Sequence, residues 1–348
     1  MMRIAQVITA TSGGIGRHVV SLVARLVERG HAVRIYGPAD SVRAHRLDDL
    51  GADIFPLAGL GRLGGADVVH AHGYKAGAIA VPVCRLRRVP LIVTWHNAVI
   101  GQGWQAIVGR VLQTIVARGA DVTLGASSDL VVEAHRLGAR DARLAPVAAP
   151  ALGPPGVQRE VTRHQLRLTD GDVMILTVSR LAPQKNLGLL LDIARRVVDH
   201  PELTFVVAGD GPQRDELAER ARAEGSKIRL LGHRDDIASL LTAADVALLT
   251  STWEARALVA QEAVLAGVPV VSTRVHGIEE LVGDAAVFFD RDDPGQAARE
   301  LLHLAGNPER RAALRTAART RAATWPTEDQ VVDDLVVLYQ KLATGTGR

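Results

Sequence analysis

Short β-branched runs alternate with longer amphipathic segments along the whole chain, and the alternation starts afresh once, after a stretch rich in proline, glycine and alanine. Strand-then-helix order of this kind builds parallel sheets covered by helices on both faces. In the first series the expected strands are residues 3–8, 32–36, 53–56, 68–70, 91–94, 122–124 and 143–147. Ile15, Val19, Leu22, Val23 and Leu26 fall at helical spacing over 15–29, and Gly30 supplies the stop. The second series has expected strands at 173–178, 204–208, 228–231, 246–249, 268–272 and 285–289, with helices at 187–198 and 257–266 among the intervening segments. Residues 148–156 form the natural linker. The expected architecture is α/β: two doubly wound, Rossmann-like domains joined by a hinge, with ligand at the carboxyl ends of the strands.

The expected boundaries are 1–150 for the first domain and 151–326 for the second, with a closing helix in 327–348. That helix carries Val331, Val332, Leu335, Leu338 and Leu342 on one face and is expected to pack back toward the first domain. A length of 348 residues fits two domains that need no disulfide or metal staple. Cys84 is the only cysteine, which excludes a disulfide framework and a cysteine-cluster zinc site and fits a reducing compartment. No run of 18 apolar residues is present, and residues 1–10 read as a first strand rather than a secretion signal. The expected location is the cytoplasm, extending to the inner face of the membrane.

Net charge is +3, too small to indicate a nucleic-acid binder. The halves differ in sign: residues 1–150 carry 17 basic and 10 acidic side chains (+7), and residues 151–348 carry 24 and 28 (−4). The positive first half favours an anionic partner or peripheral contact with an anionic membrane. No feature of the sequence speaks to oligomeric state.

Four segments carry groups suited to chemistry. Ser12-Gly-Gly-Ile-Gly-Arg-His18 lies between a strand and a helix, where Gly13 and Gly14 let backbone approach an anion. Its spacing is not that of a dinucleotide fingerprint. Arg180 and Lys185 follow the first strand of the second domain, as a fork and a point charge suited to a diphosphate. Gly209, Asp210 and Gly211 make a tight turn after the next strand. Glu254 precedes a helix and Glu262 lies eight positions on, among apolar neighbours. Eight helical residues rise about 12 Å, so the two acids would reach opposite ends of a nucleotide sugar. Ala257, Leu258 and Val259, at the helix N-terminus between them, would face the phosphates.

Glu254-Ala-Arg-Ala-Leu-Val-Ala-Gln-Glu262 resembles the Glu-x7-Glu signature of the family 4 glycosyltransferases, which have the GT-B architecture of two facing Rossmann-like domains with a cleft between them. The resemblance covers nearly the whole chain, with the motifs in the family's order. Gly-Gly-Ile-Gly-Arg-His-Val19 is similar to its first loop, Asp67-Val-Val-His-Ala-His72 to a strand motif, and Val93-Thr-Trp-His96 to the segment beside the transferred sugar. Arg180 and Lys185 match its diphosphate pair, Gly209-Asp-Gly-Pro212 its nucleotide-side turn, and Ala266-Gly-Val-Pro-Val-Val-Ser-Thr273 the strand after the signature helix.

The resemblance implies a hexosyltransferase acting with retention of configuration, without a metal and without a cofactor. The donor would be a nucleotide-diphosphate sugar, with UDP or GDP as the nucleotide and a hexose or N-acetylhexosamine as the sugar. The acceptor would be a saccharide, a polyol or a lipid-linked glycan. Arg180 and Lys185 would neutralise the leaving diphosphate, Glu254 would bind donor sugar hydroxyls, Glu262 the ribose and His96 a sugar hydroxyl. His18, His70, His72 and Arg256 are assigned to the acceptor side. His70 and His72 make half of a metal site at most, with no third ligand nearby in the sequence.

Departures from the family pattern are local. Arg256 and Ala257 stand where an aromatic residue and a glycine are usual, His276-Gly277 where two glycines are usual, and Glu279 where a proline is usual. Two other activities fit the same architecture: a sugar-nucleotide epimerase, and a catalytically impaired protein that only binds a nucleotide sugar.

Overall fold

The computed structural model describes residues 1–10, 14–99, 103–145, 147–148 and 153–345. Tertiary contacts divide the chain into two compact units, Met1–Pro150 with Pro326–Arg348, and Ala151–Trp325. The first unit runs β1 (Arg3–Val7), α1 (Gly14–Glu28), β2 (Ala32–Tyr36), α2 (Ala39–Ala44), β3 (Asp53–Phe55) and β4 (Val68–His72). It continues with α3 (Tyr74–Arg87), β5 (Leu91–Trp95), α4 (Trp104–Gly119), β6 (Val122–Gly125), α5 (Ser128–Arg136) and β7 (Ala142–Leu144). Among the described residues these strands form one seven-stranded sheet in the order β3-β2-β1-β4-β5-β6-β7, and the pairings are parallel.

The second unit begins with α6 (Arg159–Gln165), β8 (Val173–Val178), α7 (Leu187–Arg196), β9 (Leu203–Ala208), α8 (Arg214–Ala223) and β10 (Arg229–Gly232). There follow α9 (Ile237–Ala243), β11 (Val246–Leu249), α10 (Leu258–Leu265), β12 (Val270–Thr273), α11 (His276–Val282), β13 (Ala286–Phe289), α12 (Pro294–Gly306) and α13 (Pro308–Ala322). Its six-stranded sheet, again of described residues, has the order β10-β9-β8-β11-β12-β13 and is also parallel. Central strands such as β5 and β9 are buried along their whole length, as expected where helices cover both faces.

Strand order reverses at β1, which lies between β2 and β4, and at β8, which lies between β9 and β11. In open α/β sheets such points leave a crevice at the carboxyl ends of the strands. The residues after β1, β4 and β5 in one unit, and after β8 and β11 in the other, are therefore where ligands are expected.

The chain returns to the first unit through α14 (Glu328–Ala343). Thr327 and Gln330 close a reciprocal capping box at its start. Val332, Leu335, Leu338 and Tyr339 are buried against the core of that unit. Beside them Arg25 and Arg29 of α1 pair with Glu328, Asp329 and Asp333 at 2.9 Å.

Several element limits differ from the sequence expectation. β4 continues to His72 instead of ending at 70, so both histidines lie within the strand. β12 starts at Val270 rather than 268, because Pro269 has no N–H to give a ladder. β7 stops at Leu144, and Pro146 lies outside the described residues. The helix expected over 257–266 covers only Leu258–Leu265.

Candidate functional site

In the second unit the loop after β8 and the loop after β11 are stitched together. Thr250 donates its hydroxyl hydrogen to the Lys185 carbonyl at 2.8 Å, Thr252 donates its backbone N–H to the Gln184 carbonyl at 2.8 Å, and the Gln184 amide donates to the Trp253 carbonyl at 2.8 Å. This clamp brings Lys185 Nζ to 2.5 Å from Glu254 Oε1. The same carboxylate oxygen accepts the Ser251 hydroxyl at 2.7 Å. Glu254 is buried, whereas the Lys185 side chain keeps 21% of its surface open. An ammonium and a hydroxyl thus hold this buried carboxylate through one of its oxygens.

Arg180 is exposed, two residues beyond β8. Its backbone position is set by the turn of Gly209, Asp210 and Gly211. Leu181 donates its N–H to the Asp210 carbonyl at 2.9 Å, and Gln213 donates to the Leu181 carbonyl at 3.0 Å. A Cβ on Gly209 would lie 1.8 Å from the Ser179 carbonyl oxygen, and one on Gly211 would lie 2.4 Å from that of Leu181. Only glycine lets these two loops touch. Asp210 also accepts from Arg214 at 3.3 Å.

Glu262 is 2% exposed, inside α10 among Ala260, Ala263 and Val264. The geometry expected for its pairing with Glu254 needs correction. α10 starts at Leu258, so Glu254 lies ahead of the helix and Glu262 is one turn inside it, not two. Residues 254–257 are kept out of the helix because Glu254 is tied to Lys185 and Ser251, and Ala257 is extended at φ −61°, ψ 113°. The two acids are therefore not separated by the full rise of eight helical residues. Leu258 and Val259 do open the helix, with Ala257 at its N-cap. Arg256 is half-buried, and desolvation first, then Arg321, push its guanidinium down to about 10 while Glu280 opposes them.

In the first unit three histidines gather at the carboxyl ends of β1, β4 and β5. His18 is in the opening turns of α1, His72 closes β4 and His96 follows β5. Their ring centroids are 5.4–5.8 Å apart. His72 Nε2 donates to the Gln6 side-chain oxygen at 2.8 Å, which leaves Nδ1 bare and 3.4 Å from His96 Nε2. Burial, before any neighbouring charge, lowers all three pKa values: to about 4 for His18 and well below the ordinary value for His72 and His96. At neutral pH these rings are uncharged hydrogen-bonding groups. Gly14 is exposed at the start of α1, and Gly13 lies outside the described residues.

The expectation for His70 and His72 needs correction on two counts. His70 is sealed in the core, with Nδ1 2.6 Å from the Tyr339 hydroxyl and Nε2 2.7 Å from that of Thr94, so neither nitrogen remains for an acceptor. The third ligand missing from the sequence is supplied in space instead. His18, His72 and His96 each present a ring nitrogen within 4.8 Å of the other two, a set able to hold a metal ion. A cavity of about 180 Å³ beside His18 and Thr94 is walled by Leu124, Leu144, Leu335 and Leu338.

Sequence reasoning missed four supports of these groups. Ser251 bonds Glu254, and Gly277 packs so closely that a Cβ would lie 2.1 Å from the Glu254 carbonyl oxygen. Gln6 fixes the His72 tautomer, and Tyr339 holds His70. A signal existed for Gln6, a polar residue in the middle of an apolar first strand.

Residues 13–150 match the glycosyl transferase 4-like domain, and residues 158–321 match the glycosyl transferases group 1 family. The glycogen synthase of Mycobacterium tuberculosis is 30% identical over 283 residues, 75% of this chain and 66% of the relative, so the chain spans about two thirds of its length. D-inositol 3-phosphate glycosyltransferase 1 of Catenulispora acidiphila is 26% identical over 99% of this chain and 84% of its own. Among solved structures, Anabaena HepE in complex with UDP and glucose superposes with a TM-score of 0.86 at 19% identity, over 98% of this chain and 100% of that one. With both of its halves matched by glycosyltransferase domains and with the two parallel sheets of that fold, the chain belongs to the GT-B glycosyltransferases of the family 4-like kind.

Proposed function

We propose that the protein transfers a hexose or N-acetylhexosamine from a nucleotide-diphosphate sugar to an acceptor hydroxyl, with retention of configuration. The donor nucleotide is UDP or GDP, and the acceptor is a saccharide, a polyol or a lipid-linked glycan. The observation that carries this reading is the Lys185–Glu254 pair at the sheet's reversal point, with Arg180 exposed on the same loop as Lys185. HepE, solved with UDP and glucose, and the inositol phosphate glycosyltransferase support the donor and acceptor classes.

In this reaction the bond from the anomeric carbon to the diphosphate oxygen breaks, a bond to the acceptor oxygen forms on the same face of the sugar, and the acceptor's hydroxyl proton passes to the departing diphosphate. Negative charge develops on the departing diphosphate, and Arg180 with Lys185 neutralises it without a metal ion. Glu254 orients Lys185 through one oxygen and accepts sugar hydroxyls through its carboxylate. Glu262 accepts from the ribose, while Ala257, Leu258 and Val259 offer backbone at the head of α10. Gly13 and Gly14 allow backbone to approach the donor phosphates. His96, an uncharged imidazole, bonds a sugar hydroxyl; His18, His72 and Arg256 are assigned to the acceptor.

The test is hydrolysis of UDP-glucose or GDP-mannose followed by proton NMR, which needs no acceptor. The expected product is nucleoside diphosphate with the α-anomer of the sugar appearing first. A β-anomer would overturn retention. An epimerised donor with its diphosphate bond intact would overturn the transferase reading in favour of an epimerase.

A further inference from the structure

The first unit carries a surface that the transfer reaction does not use. Between Asp67 and Asp121 the chain contains no acidic residue, but it does contain Lys75, Arg85, Arg87, Arg88, Arg110 and Arg118. This segment forms β4, α3, β5 and α4, and both helices set apolar side chains outward among their exposed basic ones. On α4, Trp104, Val108, Val111 and Ile115 recur at helical spacing and are 71%, 45%, 52% and 42% exposed, with Ile107 beside them at 65%. Gln113 of the same helix is 2% exposed, so the polar side chain points inward and the apolar ones face outward. On α3, Ile79, Pro82 and Leu86 form a matching stripe, with Leu86 82% exposed.

The two helices flank a groove that continues this mixture, lined by Val81 and Arg85 of α3 and by Ile107, Val111, Ile115 and Arg118 of α4. Of the arginines lining it, which include Arg110, Arg85 bonds the carbonyl of Arg118 at 3.1 Å and Arg118 bonds that of Leu137 at 3.2 Å, main-chain groups rather than acids. Arg87 does likewise with Gly61 at 2.7 Å. Glu133, whose carboxylate feels the charge of Arg110, is already bonded by Arg136 at 2.6 Å.

We propose that the α3–α4 face docks on an anionic lipid bilayer. An outward apolar stripe ending in a tryptophan seats at the headgroup boundary, and arginines around it meet lipid phosphates. The acid-free charge selects this occupant over a second copy of the chain, because two such faces would set like charges against each other. No helix among the described residues is long and apolar enough to cross a membrane, so attachment through this face is peripheral. Neither α3 nor α4 carries a residue assigned to donor or acceptor, so the proposal and the transferase reading can fail separately.

The experiment is co-sedimentation of the full chain with vesicles of phosphatidylcholine alone or mixed with phosphatidylglycerol. Binding is expected with the mixed vesicles, weakening as salt rises, and little is expected with phosphatidylcholine alone. Arg110→Glu with Arg118→Glu should weaken it at least about fivefold for each arginine lost. Trp104→Ser with Val111→Ser should weaken it to a similar degree. Trp104 emission should shift to the blue on binding, and Trp104→Phe should remove that shift. UDP-induced thermal stabilisation, measured on the same variants, should stay at the wild-type value, showing that they are folded. Absence of binding to the mixed vesicles, or equal binding by both double variants, would overturn the proposal. So would a dimer in sedimentation velocity that the Trp104→Ser, Val111→Ser variant dissociates.

Discussion

Lys185 Nζ lies 2.5 Å from Glu254 Oε1, tying the loop that follows β8 to the loop that follows β11 where the sheet order reverses. The contact places a cation and an anion side by side, one partly open and the other buried, at the position where a parallel sheet receives its ligand. Each group therefore shapes the other's work. Without Glu254 the ammonium swings free of its loop; without Lys185 the carboxylate is a buried charge with a single hydroxyl to satisfy it.

Removing either member should thus do more than delete one contact. Lys185→Ala is expected to lower kcat by about 100- to 1000-fold, the scale of one lost donor to a developing anion. Glu254→Gln, which keeps shape but loses charge, should cost at least tenfold on the order expected for an interaction between coupled groups. The double variant should lose less than the product of the two, because both act through one contact. Steady-state kinetics on the three variants measures this, and strictly multiplicative losses would separate the two roles.

If Arg180 and Lys185 carry the leaving-group charge, turnover should survive excess chelator. Arg180→Ala should nevertheless reduce it by about 2–4 kcal/mol of transition-state stabilisation. The histidine trio gives the chelator test a second edge. A metal held by His18, His72 and His96 and needed for transfer would make activity fall on chelation, and that fall would be abolished in His72→Asn. Donor turnover with and without chelator decides between the two.

Gly277 offers a test of how the Glu254 loop is held. In Gly277→Ala the added Cβ would lie 2.0 Å from the Ala255 carbonyl oxygen and 2.1 Å from that of Glu254, so the loop must move. Overpacking of this sort costs about 1–3 kcal/mol. Donor affinity should drop along with the melting temperature. Gly306→Ala, where the new Cβ meets nothing within 4 Å, should leave both unchanged. Calorimetric binding of UDP, read beside thermal unfolding, separates a displaced loop from simple loss of fold.

The buried histidines set the pH dependence of stability. Their folded pKa values are depressed, to about 4 for His18 and about 3 for His70, with His72 and His96 also lowered, all chiefly by desolvation. The unfolded chain titrates near 6.5, so below that pH it binds more protons than the native state. Stability is therefore complete above about pH 6.5 and declines as pH falls toward 4 and 3, by up to about 1.4 kcal/mol per pH unit for each histidine. Urea unfolding at stepped pH should show the midpoint dropping below neutrality. A midpoint unchanged from pH 7 to 5 would mean that the rings are reached by water.

The two doubly wound sheets were legible because strand and helix periods differ and the chain spells out both in order; β2, β8 and β11 follow the expected limits. Lys185, Glu254 and Glu262 were legible as charges in loops or among apolar neighbours, where ordinary packing does not call for them. The Glu254–Glu262 spacing was misjudged because sequence does not show where a helix begins when the preceding residues are held by tertiary bonds. The split between His70 and His72 was invisible for a related reason. Residues two apart in a strand share a face, yet one met a hydroxyl from 269 positions away and the other a histidine from β5's end.

His70 and Tyr339 also make α14 part of the first unit's core, which can be tested by a single oxygen atom. Tyr339→Phe keeps the ring but leaves His70 Nδ1 facing a hydrocarbon edge in place of a hydroxyl at 2.6 Å. Both groups are fully buried, so water cannot replace the lost partner, and the expected loss is about 1–3 kcal/mol. Arg29→Ala breaks two of the surface pairs to the same helix and should change stability far less, because solvent screens them. Denaturant titration of the two variants, followed by far-ultraviolet circular dichroism, gives the ranking. If Arg29→Ala proves the more damaging, the helix is held by its charged edge, and the buried histidine is a passenger.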